Sequence, residues 1–184
     1  MRWERLFDDL EAQLDALDQQ ELAAEVADRT RREVARIRLA DRLRAALGHP
    51  VTCWILGAGS VGGRVAAVGP DWVLLQESTG HEALVPLAAL TGVAGLGLRS
   101  TVPGTEGVVG ARLNLAHVLR GIARDRSSVG VRLVDGSSLG GTVDRVGADF
   151  AEVAEHGPGE QRRPWEVQGV RSVPFGALAV LRRV

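Results

Sequence analysis

The sequence predicts an α+β fold in which N-terminal helices are followed by two tandem, small, five-stranded β-barrels, each preceded by a helix. Apolar residues recur at helical spacing up to about residue 47, whereas short alternating runs broken by glycine dominate after residue 50. The second pattern occurs twice, because residues 129–153 match residues 51–75 at a constant offset of 78. We therefore expect a helical arm over 1–47, a first barrel over 48–97, a linker over 98–110, and a helix with a second barrel over 111–184.

The first part of the arm carries an apolar stripe. Large apolar side chains recur every three or four positions with acidic residues between them, which is typical of an amphipathic helix. The main members are Trp3, Phe7, Leu10 and Leu14. A stripe of this size needs a partner, so we expect it to pack on a second helix, on a barrel or on another chain, for example as a coiled-coil-like dimerisation arm. A second helix is expected from about Asp18 to Leu47, and the two helices form either a hairpin or one rod.

Charge is segregated along this arm. Residues 1–28 hold nine acidic side chains and two Arg, whereas residues 29–44 hold seven Arg and two acidic side chains. A hairpin that places the acidic arm opposite the basic one explains both runs. Alternatively, the basic run and a later Arg pair bind the phosphates of RNA. The residues of that alternative are Arg29, Arg31, Arg32, Arg36, Arg38, Arg162 and Arg163.

Each half of the later pattern begins with a strand that ends at a turn. Gly57-Ala58-Gly59 in the first half and Asp135-Gly136 in the second half predict hairpin turns. The glycine pairs that follow, Gly62-Gly63 and Gly140-Gly141, predict a strongly bent second strand, because glycine permits the kink. Further short apolar runs supply the remaining strands of each barrel.

This order of helix, hairpin and glycine-kinked strand, with the late segments Val85-Pro86 and Val173-Pro174, resembles the Sm-like fold of the Sm and LSm proteins and the riboregulator Hfq. The resemblance covers roughly 43–93 and 119–182 and implies small barrels. In the RNA-binding families an Asp and an Asn follow the bent strand, but here Gly69 and Val73 hold those places. The resemblance therefore does not imply a base-binding pocket. The whole chain is also similar to a family of actinobacterial proteins of this size, which implies no activity.

One short motif suggests a nucleotide site. Residues Gly57 to Gly62 match G-x-G-x-x-G, whose glycines let a helix N-terminus approach a pyrophosphate in dinucleotide-binding folds. A helix after Gly62 would have only the residues up to Gly69 before Pro70, which is too short for a crossover between parallel strands. We therefore favour a hairpin here and keep a nucleotide-binding enzyme as a disfavoured alternative.

The remaining reactive side chains do not form a pattern typical of catalysis. The four His residues, at 49, 81, 117 and 156, lie in separate contexts and are expected at the surface or at caps. Cys53 alternates with Trp54 on a strand and is expected to pack. Asp71 and Asp149 each precede an aromatic residue, and we favour turn capping over a catalytic pair. We expect no catalytic residue, no metal and no cofactor.

Composition limits the function classes further. The 22 basic and 23 acidic side chains give a net charge of −1, so no overall field steers the molecule onto nucleic acid or a membrane. A single Cys and an acidic N-terminal segment indicate a reducing cytoplasm and no signal peptide. The leading hypothesis is a non-enzymatic cytoplasmic scaffold or adaptor that binds another protein or a second copy of itself through the stripe at Trp3, Phe7, Leu10 and Leu14.

Overall fold

The computed structural model describes residues 19–102, 104, 107–157 and 169–183, and the chain divides after residue 37 into two compact units. The first unit contributes helix α1 over residues 19–34, with every side chain from 19 to 36 exposed. The apolar side chains of Leu22, Val26 and Val34 are more than half exposed. The predicted coiled coil is therefore wrong for the described part of the arm. The predicted stripe at Trp3, Phe7, Leu10 and Leu14 lies outside the described residues.

The second unit opens with a short helix, α2 (Leu39–Ala45). The sequence predicted one helix up to Leu47, but helical structure stops at residue 34 and resumes at Leu39. Arg38 has extended backbone, and its N–H donates to the carboxylate of Asp41 at 3.0 Å. This capping interaction starts a new helix, so the two helices are separate elements.

The described part of the second unit also contains ten antiparallel strands and two more α-helices, α3 (Gly107–Arg112) and α4 (Leu115–Asp125). The order across the sheet is β5-β1-β2-β3-β4-β10-β6-β7-β8-β9. The strand bounds are β1 (Pro50–Ile55), β2 (Gly59–Val68), β3 (Trp72–Gln76), β4 (Glu82–Pro86), β5 (Leu90–Ala94), β6 (Ser128–Leu133), β7 (Ser138–Val146), β8 (Phe150–Glu155), β9 (Gly169–Pro174) and β10 (Leu178–Arg183).

The prediction of two tandem, closed, five-stranded barrels is wrong. To close the first barrel, β4 would have to pair with β5, but β4 pairs instead with β10, through Ala83 opposite Arg182 and Leu84 opposite Leu181. Strand β5 pairs only with β1 among the strands described. The segments that were expected to form separate repeated barrels are thus parts of one open sheet, joined at the β4–β10 seam.

The predicted hairpins and bent strands are present within this sheet. Val51 lies opposite Gly63 in the β1–β2 hairpin, and Val129 lies opposite Gly141 in the β6–β7 hairpin. Strands β2 and β7 each contain a register shift soon after their glycine pair. A Cβ atom built on Gly63 would lie 2.7 Å from the carbonyl oxygen of Gln76, so the neighbouring strand approaches too closely for any side chain.

The sheet has two apolar cores. Leu43 of α2 and Ala46 at its C-cap pack with Val65, Leu75 and other buried residues of β1 to β4 in the first core. Leu115 and Leu119 of α4 pack with buried residues of β6 to β10 in the second core. Trp72 and Leu84, which belong to strands of the first half, also lie in the second core. The two halves are therefore joined by side-chain packing as well as by strand pairing.

Candidate functional site

Four of the basic residues predicted for RNA binding lie among acidic side chains in the first unit. Arg29, Arg31, Arg32 and Arg36 are exposed on α1 or just after it, and Asp28 pairs with Arg32 at 2.6 Å and with Arg31 at 3.7 Å. Glu25 and Glu33 line the same shallow groove as Arg29, Arg32 and Arg36. Acidic side chains are thus interspersed among the basic ones. Arg162 and Arg163 fall outside the residues that the structure describes, and the RNA alternative stays a prediction.

Arg38 has a structural role instead. Its backbone N–H and its guanidinium Nε both lie within hydrogen-bond distance of Oδ2 of the fully buried Asp41, and Arg44 donates to Oδ1 at 2.8 Å. Burial raises the pKa of Asp41, but the hydrogen bonds from Arg38 and the charges of Arg38 and Arg44 outweigh it and leave that pKa lowered. Arg44 also donates to the carbonyl of Gly69, so this cluster fixes α2 against the turn between β2 and β3.

The same turn also contacts α4. Asp71 accepts a hydrogen bond from the backbone N–H of Leu115 at 2.8 Å, at the first residue of the helix. The indole N–H of Trp72 donates to the carbonyl of Leu113 at 2.7 Å. Asp71 therefore caps a helix that belongs to the other half of the sheet. The sequence predicted a cap within the turn itself, whereas the structure shows that Asp71 caps the start of α4.

The glycine motif at Gly57 to Gly62 lies in the β1–β2 hairpin. Gly57 and Gly59 have φ angles of +70° and +73°, and the strand β2, not a helix, begins at Gly59. A Cβ atom on Gly57 would lie 2.4 Å from the carbonyl oxygens of Leu133 and Val134. The glycine is thus required by close packing on the second hairpin. The helix N-terminus that binds pyrophosphate in dinucleotide folds does not follow this motif.

His156 differs from its predicted surface or cap position. It is buried, with 4% of its surface exposed, and its Nε2 lies 2.8 Å from the hydroxyl of the equally buried Thr142. Its Nδ1 lies 3.0 Å from the carbonyl oxygen of Gly157. The prediction is therefore wrong for this His, because Thr142 and Gly157 satisfy its ring inside the structure. A hydroxyl beside an imidazole resembles a nucleophile and base, but both side chains are buried.

Other reactive groups in the described ranges are dispersed. Cys53 is fully buried, and burial raises the pKa of its thiol to about 11, so it packs as the sequence predicted and stays protonated. Within residues 19–102, 104, 107–157 and 169–183, no three His, Cys, Asp or Glu side chains come close enough to hold a metal ion. None of the helices in these ranges has the length and apolar character needed to cross a bilayer.

The two ends of the sheet differ in chemistry. Strand β9 carries Arg171, which forms a two-point contact with Glu155 at 2.8 and 3.1 Å, and it ends at Pro174. Strand β5 and its flanks have no charged residue between positions 83 and 98. No described strand pairs with the outer side of β5. We call this outer side, Leu90–Ala94, the β5 edge.

Exposed apolar side chains lie next to the β5 edge. Trp54 on β1 is 46% exposed and lies directly opposite Gly92, where a Cβ atom would touch the indole at 3.4 Å. Leu56, at the end of the same strand, is also exposed. The sequence analysis did not select Trp54. The signal was available, because Trp54 alternates with the inward residues Cys53 and Ile55 and must therefore face outward.

Comparisons with models of protein families, with curated proteins and with solved structures produced no match for this chain. The predicted resemblance to the Sm-like superfamily accordingly stays a prediction. The functional argument has to be made from the geometry of the sheet itself.

Proposed function

We propose that this protein is a non-enzymatic, cytoplasmic protein-interaction module whose β5 edge binds an extended, apolar segment of a partner protein as an additional antiparallel strand. The observation that carries this proposal is the uncharged β5 edge at one end of a ten-stranded sheet, where none of the strands described pairs with its outer side. Strand addition is a common mode of peptide recognition, in which backbone hydrogen bonds supply affinity and side-chain contacts supply specificity.

The contrast between the two ends of the sheet supports this assignment. Proteins commonly protect edge strands with charged residues or proline, since an open row of backbone groups attracts other chains. Strand β9 has both forms of protection in Arg171 and Pro174. Strand β5 has neither, and its only irregularity is a register shift against β1.

Another strand of this chain, β10, has a similar register shift and pairs with a neighbouring strand beside it. Strand β10 pairs with β6 through a register shift between Leu178 and Val180. The residues after this shift, Leu181 and Arg182, pair on their other side with β4. The corresponding residues of β5, which follow its own shift, are Val93 and Ala94. This geometry therefore leaves a backbone edge that accepts an antiparallel neighbour.

The chemistry near the edge favours an apolar occupant. A strand placed against β5 would bring a side chain beside Gly92, where the exposed indole of Trp54 offers an apolar contact surface. The neighbour that β10 accepts has the sequence Glu82-Ala83-Leu84-Val85-Pro86, with an apolar centre. A second copy of this chain would offer either β9, whose charged and proline-terminated strand is a poor match, or its own β5 edge, which the sedimentation readout below tests.

The test uses the full chain and a fluorescent peptide of residues 79–87, which contains β4, as the probe. We expect saturable binding in fluorescence anisotropy. The double variant Thr91→Glu/Ala94→Glu should weaken binding by about ten-fold or more, because it places charge beside an apolar strand. Both positions are exposed, so the fold should tolerate the change.

The matched control is Val170→Glu/Ser172→Glu, which adds the same charges at exposed positions on β9. Binding should be unchanged in this variant. Equal binding by all three proteins, or no saturable binding by any, would contradict the proposal. Sedimentation of the protein alone supplies a second readout. A dimer that the β5 variants abolish would identify a second copy as the occupant and overturn the assignment to another protein.

A further inference from the structure

A groove of about 300 Å³ lies on the sheet near the β4–β10 seam, away from the β5 edge. Its lining includes side chains from β6, β7 and β10 and from the loop before β4. The polar and charged members are His81, Arg132, Ser138, Arg182 and Arg183. None of these residues was selected from the sequence as a binding residue.

Paired glycines leave the floor of this groove open. Arg182 of β10 lies opposite Gly130 of β6, and Gly130 lies opposite Gly140 of β7. The next position on the same face of β6 is Arg132, which lies opposite Ser138. Strand spacing places the Cα atoms of Arg132 and Arg182 about 8 Å apart, with glycine positions beside them. Arg132 and Arg182 therefore both line the groove, and Gly130, which lies opposite Arg182, adds no side chain to its floor.

The charges around the groove are held in fixed positions. Arg182 donates from Nε and Nη2 to the two carboxylate oxygens of Glu77 at 3.0 and 3.1 Å. The hydrogen bond from Arg182 lowers the pKa of Glu77 against the opposing effect of burial, and the charges of Arg182 and His81 lower it further. Glu77 thus stays ionised and orients Arg182, and among the residues described no acceptor is recorded for Nη1 of Arg182.

The other two Arg residues also retain donors. Arg132 uses Nη1 for the carbonyl of Gly136, and no described residue accepts from its Nη2. Arg183 donates from Nη2 to the hydroxyl of Ser127 and lies 4.0 Å from Asp125. Within the groove lining itself there is no acidic side chain. Arg183 follows Arg182 on the strand, so its side chain lies on the other face of the sheet, and the lining presents the side chains of Arg132, Arg182, His81 and Ser138.

We propose that this groove binds the phosphate group of a nucleotide-sized ligand. Arg presents several N–H donors in a planar fork that matches the oxygens of a phosphate, and two such groups on either side of one phosphate give strong, oriented contacts. Ser138 adds a neutral hydrogen-bonding group at the rim. The groove volume accommodates a phosphate together with part of the organic group that carries it.

Isothermal titration calorimetry at low salt tests this proposal with three probes: inorganic phosphate, adenosine monophosphate and a short single-stranded RNA. We expect one saturable site for at least one probe. Arg132→Gln should weaken its binding about ten-fold, because it removes a charged donor from an exposed position. The matched control, Arg145→Gln, removes the same charge from an exposed Arg outside the groove and should leave the affinity unchanged.

A second variant tests the shape of the groove without changing its charge. Gly130→Val fills the floor and keeps every charged residue, so binding should be lost while the unfolding midpoint shows that the protein is folded. Binding of adenosine monophosphate or phosphate would identify a free small molecule as the source of the phosphate, and binding of RNA alone would identify a nucleic acid. Absence of binding by all three probes would overturn the proposal. Equal losses in Arg132→Gln and Arg145→Gln would also overturn it, because general electrostatic attraction would then explain the binding.

Discussion

Replacement of Trp72 tests whether the β4–β10 seam makes the two halves of the sheet one folding unit. The side chain is 8% exposed and packs in the second core, although β3 belongs to the first half. A Trp that buries about 200 Å² at about 25 cal/mol per Å² contributes about 5 kcal/mol. The hydrogen bond from its indole to Leu113 adds about 1 kcal/mol. We expect Trp72→Ala to lower the free energy of unfolding by about 3–5 kcal/mol, because neighbouring groups relax partly into the cavity.

The assay is urea unfolding followed by the β-sheet signal in circular dichroism. Trp54→Ala is the matched control, since Trp54 is 46% exposed and should cost less than about 2 kcal/mol. Trp72→Phe isolates the hydrogen bond and should cost about 1–2 kcal/mol. Equal costs for Trp72→Ala and Trp54→Ala would refute the reasoning. So would two separate sheet transitions in the unaltered protein, because separate halves would unfold independently.

Two further predictions concern the turn and the buried carboxylate. Gly57→Ala should lower the free energy of unfolding by about 2–3 kcal/mol, because its Cβ would clash with neighbouring backbone. Gly59 has a similar φ but open space around it, so Gly59→Ala should cost about 1 kcal/mol. Equal losses in urea unfolding would contradict the close contact at Gly57. The lowered pKa of Asp41 means that its carboxylate stabilises the fold above about pH 4, and that this stabilisation is lost as the pH falls toward the folded-state pKa. Asp41→Asn should flatten the dependence of unfolding free energy on pH in that acidic range, and a variant with the parent's full pH dependence would show that another group is responsible.

Local elements of this fold were predictable because local residues determine them. The Asp135-Gly136 turn forms as expected, with Gly136 at a φ of +86° and Asp135 accepting hydrogen bonds from Ser137. A helix was expected at the start of the segment 111–184, and α4 runs there from Leu115 to Asp125 after the cap at Asn114. Caps, turns and glycine kinks depend on residues that are close together in sequence, so these features can be predicted from the sequence alone.

The pairing of the strands was not predictable by the same reasoning. Alternating apolar residues are equally compatible with closure of each half on itself and with pairing between the halves. The length of the continuous apolar runs distinguishes closure of each half from pairing between the halves. Leu178–Leu181 and Ala83–Pro86 are continuous buried runs, whereas β1 alternates between buried and exposed positions. Continuous runs are typical of strands covered on both faces, and these two strands meet at the centre of the sheet.

The functional surfaces were less accessible to sequence analysis than the elements. Asp71 and Asp149 have the same local context, yet only Asp71 has a described hydrogen bond to the start of α4. That difference depends on which half of the sheet lies next to the helix. The basic groove was not predictable for the same reason. Arg132 and Arg182 are 50 positions apart in sequence and become neighbours only through the β6–β10 pairing.

Corresponding positions in the two halves of the sheet differ in charge. After the register shift, Ala67 pairs with Leu74 in the first half, and both contact the second core. The corresponding pair in the second half is Arg145 with Glu152, which form an ion pair at 3.7 Å. The strands that pack against another half thus carry apolar residues, whereas the strands at the β9 end carry charges. A chain that packed on this face of β7 and β8 would have to desolvate those charges, which the corresponding pair of the first half does not carry.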